Sequence, residues 1–138
     1  MIEIAIVVGA AIASLSCTPT TPAIQRTDLV GEYKFEESTT TRDAGLQTIS
    51  LSSDGTYQQR FVPVHGTPEL NTGTWELVAD GPDTYVKVGG LRAFGSDVWR
   101  QRLESPDRKR DARLPVDRWN GRVRVATSED AGQYFVKE

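Results

Sequence analysis

From residue 28 onward, apolar and polar side chains alternate with a period of two instead of the period of 3.6 that an amphipathic helix shows. In the segment LVGEYKFE, Leu29, Tyr33 and Phe35 fall on one face and the charged side chains fall on the other. This alternation is typical of a strand with one buried face. It returns in LQTISLSS, TYQQRFV, GTWELVA, TYVKV, DVWRQRL and WNGRVRVA, and again near residues 132–137. We therefore predict eight or nine strands.

The turn signals between these segments agree with the alternation. A three-residue loop at 53–55 pairs Leu51 with Tyr57 and places both on one face. A four-residue loop at 80–83 and a two-residue turn at 89–90 bring the following strands onto the same face. The three turns thus specify a single inner face, as an antiparallel meander requires.

Short strands joined by short turns over residues 28–138 predict an all-β fold, in which an antiparallel meander closes into a small barrel and exposes no edge. A two-sheet β-sandwich is the alternative. One segment, SPDRKRDARLP at 105–115, interrupts the alternation. Ser105 suits a helix cap, Pro106 suits the first helical position, and Pro115 discourages continuation. A short helix or a charged loop is therefore predicted there.

The start of the chain has a different composition. Residues 4–16, IAIVVGAAIASLS, are uncharged, but this run is shorter than the roughly 20 residues that a membrane-spanning helix needs. A run of this length that ends in small residues is typical of a signal peptide. It is followed by Cys17, the single cysteine of the chain, and by TPTTPAIQRT at 18–27, whose prolines favour an extended tether.

The tetrapeptide SLSC at 14–17 resembles the lipobox of bacterial lipoproteins. The resemblance implies that Cys17 is acylated and becomes the first residue of the mature chain. It divides the chain into a signal peptide and lipobox over 1–17, a tether over 18–27 and a barrel domain over 28–138. The threonine that follows the cysteine implies the periplasmic side of the outer membrane in a Gram-negative host. The alternative is a free cysteine in an ordinary signal peptide or membrane anchor.

A second resemblance lies within residues 28–79. The order of an LVGEY start, a DGTY turn and a GTW strand is similar to that in lipocalin-like bacterial envelope proteins. This resemblance implies a small β-barrel domain with an internal pocket.

Composition argues against several classes of function. The net charge of −3 and the pI near 5.2 are unlike the basic surfaces of nucleic-acid-binding proteins, so we expect no nucleic-acid partner. The one histidine, His65, lies in a loop flanked by proline and glycine. A single histidine in this position does not favour a Ser-His-Asp triad or a zinc site built on histidines. The carboxylates lack the spacing of a calcium loop. We therefore expect no enzyme activity, no metal and no cofactor.

Polar residues on the predicted inner face indicate a candidate ligand pocket. Three glutamines share the phase of the core residues, where a packed core would have apolar side chains, and buried amides need partners. With four aromatic residues they would line a pocket for a small amphiphile. The alternative is that the glutamines lie at open barrel ends and reach water. The candidate residues are Tyr33, Gln47, Tyr57, Gln59, Trp75, Trp99 and Gln101.

Arginines in the outward phase indicate a candidate basic patch. Two of them, Arg100 and Arg102, lie on one predicted strand, and Arg122 and Arg124 lie on another. With the basic residues of 108–113 they would face anionic headgroups or polysaccharide beside the anchor. The alternative is a solvated face that protects the sheet, because nearby acidic residues offset much of the charge.

Together these features predict a lipid-anchored, non-catalytic binding protein of the bacterial envelope. The ligand would be a small apolar or amphiphilic molecule inside the barrel, or an envelope protein or polysaccharide on its surface. The alternative is a structural, assembly or inhibitor-type lipoprotein that acts through protein contacts of a loop such as 62–72 or 104–118.

The lipobox yields a first prediction. Protein extracted from its native membrane should have a denatured mass that lacks residues 1–16 and includes acyl chains on Cys17. Each buried methylene of those chains contributes about 0.8 kcal/mol to membrane binding, so several chains would anchor the domain firmly. Mass spectrometry of the extracted chain measures this directly, and an uncleaved, unmodified chain would contradict it.

Overall fold

The computed structural model describes residues 22–37, 45–80, 82–92, 108–129 and 132–138. These ranges contain one short helix, α1 (Arg26–Leu29), and eight antiparallel strands. The strands are β1 (Gly31–Glu37), β2 (Leu46–Leu51), β3 (Thr56–Val62), β4 (Glu69–Asp80), β5 (Asp83–Leu91), β6 (Arg110–Trp119), β7 (Arg122–Ser128) and β8 (Gln133–Lys137). Each strand pairs with the next, and β1 also pairs with β8. The sheet is therefore a closed barrel, as predicted, and not a sandwich.

The predicted inner face is confirmed by the register of the first hairpins. Leu51 lies opposite Tyr57, and both side chains are buried. The loop between them contains Gly55 at φ +88°, a backbone conformation that glycine adopts without steric cost. The loop predicted at 80–83 is shorter than expected, because Asp80 and Asp83 are themselves paired in the ladder between β4 and β5.

The turn predicted at Gly89-Gly90 is wrong. Strand β5 continues through both glycines to Leu91, and Gly89 lies opposite Thr74 of β4. The register with β6 shifts between Val88 and Leu91, so the glycines form an irregularity within the strand. Two glycines suit either a turn or a bulge, and here the pairing of β5 with both neighbours favours the bulge.

The helix or charged loop predicted over 105–115 is also wrong for residues 110–115, whereas residues 108 and 109 precede the strand and residues 105–107 lie outside the described ranges. Residues 110–115 belong to β6. Pro115 lies opposite Tyr85 of β5 and one residue beyond the ladder with β7, which covers only Val116 to Trp119. A proline is tolerated where a ladder ends, because it has no N–H to donate. The strand predicted in DVWRQRL lies outside the described residues.

The segment WNGRVRVA, predicted as one strand, contains a hairpin turn. Asn120 has φ +50° and Gly121 has φ +76°, and they connect β6 to β7. Positive φ at both central residues is what a type I′ turn requires, and the Asn-Gly pair is the commonest sequence for it. The alternation of Arg122 to Ala126 therefore belongs to β7 alone.

Helix α1 closes one end of the barrel. Leu29 is fully buried in the core, and its carbonyl oxygen accepts a hydrogen bond of 2.7 Å from the hydroxyl of Tyr33. The carbonyl oxygen of Asp28 accepts one of 2.6 Å from Nζ of Lys137 in β8. Carbonyl groups at a helix end lack partners within the helix, so β1 and β8 satisfy those of α1.

The folded domain begins before residue 28. Ile24 is partly buried against the core, and the backbone N–H of Gln25 donates to the Asp28 carboxylate at 2.8 Å. This bond, with an ion pair to Arg118 at 3.0 Å, holds the pKa of the Asp28 carboxyl below its usual value. Residues 24–27 therefore belong to the domain and not to the tether predicted over 18–27.

Because the strands are antiparallel, the connections alternate between the two barrel ends. The connections after β2, β4 and β6 lie at the end that α1 covers, which we call the closed end. Strands β1, β3, β5 and β7 end at the opposite side of the barrel, which we call the open end because the cavity described below opens there. The described part of the chain includes no helix with the length and apolar character that crossing a bilayer requires.

The burial of Leu29 predicts its importance for stability. We expect Leu29→Ala to lower the free energy of unfolding by about 2–5 kcal/mol, because it leaves a cavity in the closed end. The matched variant Leu70→Ala removes the same atoms from a side chain that is 57% exposed and should cost less than about 1 kcal/mol. Urea denaturation followed by circular dichroism measures both, and equal effects would contradict the role of α1.

Candidate ligand-binding site

A cavity of about 340 Å³ opens at the end of the barrel opposite α1. Its apolar wall consists of Phe35, Leu91, Ala112, Leu114 and Phe135. Its neutral polar lining consists of Gln47, Gln59, Thr127 and Gln133. Three arginines complete the lining, Arg92, Arg110 and Arg113, and among the described lining residues none carries a carboxylate.

The amide of Gln59 connects three strands at the base of this cavity. Its Nε2 donates to the carbonyl oxygen of Arg92 at 2.6 Å, and its Oε1 accepts from the backbone N–H of Arg92 at 3.3 Å. The same Oε1 accepts from Nδ2 of Asn71 at 3.1 Å. Gln59 is on β3 and Asn71 on β4, and Arg92 follows β5 directly. The side chain thus bonds to the backbone at the end of β5 in the way that a neighbouring strand would.

The bulge of β5 supplies acceptors for this network. Tyr57 donates its hydroxyl proton to the carbonyl oxygen of Gly89 at 3.0 Å, and Asn71 Nδ2 donates to that of Gly90 at 2.9 Å. Burial raises the pKa of Tyr57 to about 12, so the hydroxyl keeps its proton at neutral pH. A Cβ at Gly73 would overlap the carbonyl of Gly89 and lie 2.8 Å from the Tyr57 hydroxyl, so only glycine fits there.

Arg92 places a buried cation in the cavity wall. Its side chain is only 7% exposed, and its Nη2 lies 3.3 Å from Oε1 of Glu69, whose side chain is 38% exposed. Burying a charge is costly unless it is paired. The pair is therefore asymmetric, with the cation inside the barrel and the carboxylate at its rim.

Gln47 has an unsatisfied acceptor in this environment. The residue is 3% exposed, and within the described part of the chain its Oε1 has no hydrogen-bond partner. Such a buried acceptor costs about 1–3 kcal/mol relative to a satisfied one. Because Gln47 lines the cavity, a bound molecule with a hydroxyl or N–H group can supply the missing donor.

The ladder between β6 and β7 is shorter than either strand. The ladder between them ends at Val116 and Val125, whereas β6 starts at Arg110 and β7 extends to Ser128. Arg113 and Thr127, which lie on the two sides of the unpaired stretch, both line the cavity.

The structure brings together part of the predicted pocket. Gln47 and Gln59 line the cavity, which confirms their inward phase. Tyr33, Tyr57 and Trp75 do not line it: they are core residues whose polar atoms bond to backbone carbonyls, and Trp75 Nε1 donates to Ser52 at 2.9 Å. The guanidinium of Arg26 covers the Trp75 ring at 4.8 Å from its centroid. Trp99 and Gln101 lie outside the described residues.

The described half of the predicted basic patch does not form an open cationic surface. Arg124 makes two hydrogen bonds of 2.7 Å to the carboxylate of Asp117, and its guanidinium stacks over Tyr134 at 4.0 Å. Arg122 is exposed and donates to the carbonyl oxygen of Lys137 at 2.8 Å. Cys17, Arg100 and Arg102 lie outside the described residues.

Two site residues were not predicted. Asn71 could have been found by extending the alternation of Trp75 back along β4, since both side chains face inward. Arg92 carried no such signal, because a turn was expected just before it. His65, as expected, is exposed in the loop between β3 and β4. Within the described ranges, no three histidine, cysteine or acidic residues are grouped so that they could hold a metal.

The fold and the cavity define the class of protein as a small antiparallel β-barrel with an internal polar site at one end. Comparisons with protein-family models, with curated proteins and with solved structures found no significant match.

The contrast between the two cavity glutamines yields a prediction. Gln47→Leu should raise the free energy of unfolding by about 1–2 kcal/mol, because it removes an unsatisfied acceptor and keeps the volume similar. Gln59→Leu should lower it by about 1–3 kcal/mol, because Asn71 and the backbone of Arg92 lose a partner. Thermal and urea denaturation measure the change in the free energy of unfolding for each variant. Changes of the same sign in both variants would contradict the hydrogen bonding described for the two glutamines.

Proposed function

We propose that this chain is a non-catalytic binding protein of the bacterial envelope, whose barrel holds a small amphiphilic ligand in the cavity at the open end. The observation that carries the proposal is the buried Oε1 of Gln47, a residue of the cavity lining, because this atom has no hydrogen-bond partner among the residues that the structure describes. A ligand hydroxyl or N–H would satisfy this acceptor, and an apolar ligand body would contact Phe35, Leu114 and Phe135.

The cavity size limits the ligand. A volume of about 340 Å³ lies near the lower bound of small-molecule sites. At about 30 Å³ for each water molecule, it has room for roughly ten waters. A molecule with about ten non-hydrogen atoms therefore fits, for instance a single-chain amphiphile of eight carbons.

The envelope location in this proposal rests on the N-terminal sequence. The uncharged run at 4–16 and the lipobox-like SLSC at 14–17 support acylation of Cys17. The chain enters the barrel at the closed end, where Ile24 and α1 pack. An anchor upstream of α1 would therefore join the domain at the end opposite the cavity.

A second candidate function, contact with an envelope protein, is favoured by a different observation. Three exposed apolar side chains lie near the open end: Leu46 on β2, Val64 in the loop between β3 and β4, and Leu70 on β4. Exposed apolar groups of this kind often mark interaction surfaces. They fall on or beside the segment 62–72. The other segment expected to make such contacts, 104–118, is not a loop from residue 110 onward, because it forms β6.

The binding proposal predicts saturable uptake of one eight-carbon amphiphile per chain. The full chain in lipid nanodiscs would be titrated with octan-1-ol and with octanoate, and NMR methyl shifts of Leu91 and Leu114 would report occupation of the cavity and exclude partition into lipid. Ala112→Phe fills the cavity and should abolish the shifts. Its matched control, Ala79→Phe, adds the same ring to an exposed position on β4 and should leave binding unchanged. Absence of shifts with both probes would overturn the proposal in favour of a surface partner.

A further inference from the structure

We infer that the amphiphile carries an anionic headgroup, which lies against Arg92 and Arg110, while its tail lies along Phe35 and Phe135. This inference rests on the proposed function. Its first support is the charge of the lining, which contains three arginines and, among described residues, no carboxylate. The whole chain has more acidic than basic residues, 19 against 16. The described part of the lining therefore has the opposite charge bias from the chain as a whole.

The burial of Arg92 is the second support. Its side chain is 7% exposed at the cavity wall, and its partner Glu69 approaches from the rim at 3.3 Å. A guanidinium presents five N–H donors in a planar fork that matches carboxylate and phosphate oxygens. Because Arg92 lines the cavity, an anion there would be attracted to this guanidinium in a medium of low dielectric constant, in which the attraction between opposite charges is strong.

Arg110 stands beside Arg92 at the same rim. It lies opposite Leu91, the residue that precedes Arg92, and it shares the inward phase of Ala112 and Leu114 on β6. One arginine directly after β5 and one at the start of β6 thus line the same side of the cavity. We assign no direct contact to Arg113, because its guanidinium lies over the Tyr85 ring at 5.1 Å.

The apolar wall provides the site for the tail. The rings of Phe35 on β1 and Phe135 on β8 meet edge to face, with their centroids 5.4 Å apart. Ala112 and Leu114 on β6 complete this side of the lining. A cationic rim followed by an aromatic and aliphatic wall matches the two halves of an anionic amphiphile, and matches neither a cationic nor a zwitterionic one.

The test compares headgroups on one chain length. With the full chain in nanodiscs and the methyl shifts of Leu91 and Leu114 as the readout, octanoate should bind at least about tenfold more tightly than octan-1-ol, because charged hydrogen bonds are the stronger ones. Octylamine should not bind. Octyl phosphate tests a phosphate headgroup in place of a carboxylate. The anion that binds more tightly, octanoate or octyl phosphate, identifies the headgroup. Tighter binding of either anion than of octan-1-ol supports the inference.

Variants locate the headgroup. Arg92→Gln and Arg110→Gln should each weaken octanoate binding by about 10- to 100-fold and leave octan-1-ol binding within about twofold. Arg110 is exposed, so its variant serves if Arg92→Gln does not fold. Glu69→Gln removes the competing carboxylate and should tighten octanoate binding. Arg60→Gln removes the same charge from the outer face of β3 and should change neither affinity.

The outcomes separate this inference from the proposed function. Equal affinity for octanoate and octan-1-ol would overturn the anionic headgroup and leave cavity binding in place. Binding of octanoate that Arg92→Gln, Arg110→Gln and Arg60→Gln all leave unchanged would also overturn it. Absence of binding by every probe would overturn both proposals.

Discussion

The barrel depends on the junction at which β1, β8 and α1 meet. The last two carbonyl groups of α1 would lack partners in a helix of four residues. Tyr33 of β1 and Lys137 of β8 donate to them, at 2.7 and 2.6 Å. These bonds hold the first and last strands to the same short helix, and the backbone N–H of Glu138 adds a bond of 3.0 Å to Glu32. A ring of strands stays closed only while its first and last members stay together, so the other ladders depend on this contact.

Closure at one end separates two environments within one small interior. Around α1 the core is apolar and aromatic, and the polar atoms of Tyr33 and Trp75 bond to backbone carbonyls. At the open end the interior contains buried amides and a buried guanidinium. Their cost is offset where they bond to one another and to the bulge in β5, and within the described residues it remains at the Oε1 of Gln47 and at the Oδ1 of Asn71. The apolar core and the polar cavity thus lie towards opposite ends of the same barrel.

At two positions that contain glycine, the alternation of apolar and polar residues did not predict correctly whether the strand continues or turns. Gly89-Gly90 was expected to reverse the chain, but it forms a bulge that presents two carbonyls to Tyr57 and Asn71. Asn120-Gly121 was expected to continue a strand, but it reverses the chain between β6 and β7. Glycine permits both outcomes locally. The neighbouring strands decide between them, because each unpaired backbone group must find a partner.

The sequence by itself determined the strand class, the inner face and the inward direction of Gln47 and Gln59, because period-two alternation is a local property of each strand. It also carries the lipobox-like SLSC, which stays a prediction. The tertiary structure alone decided the closure by β8, the bulge in β5 and the position of Arg92 beside Gln59. These features join residues that are distant in the chain, such as Gln59 and Arg92, which are 33 positions apart. The register that unites them depends on all eight described strands together, so no single segment encodes it.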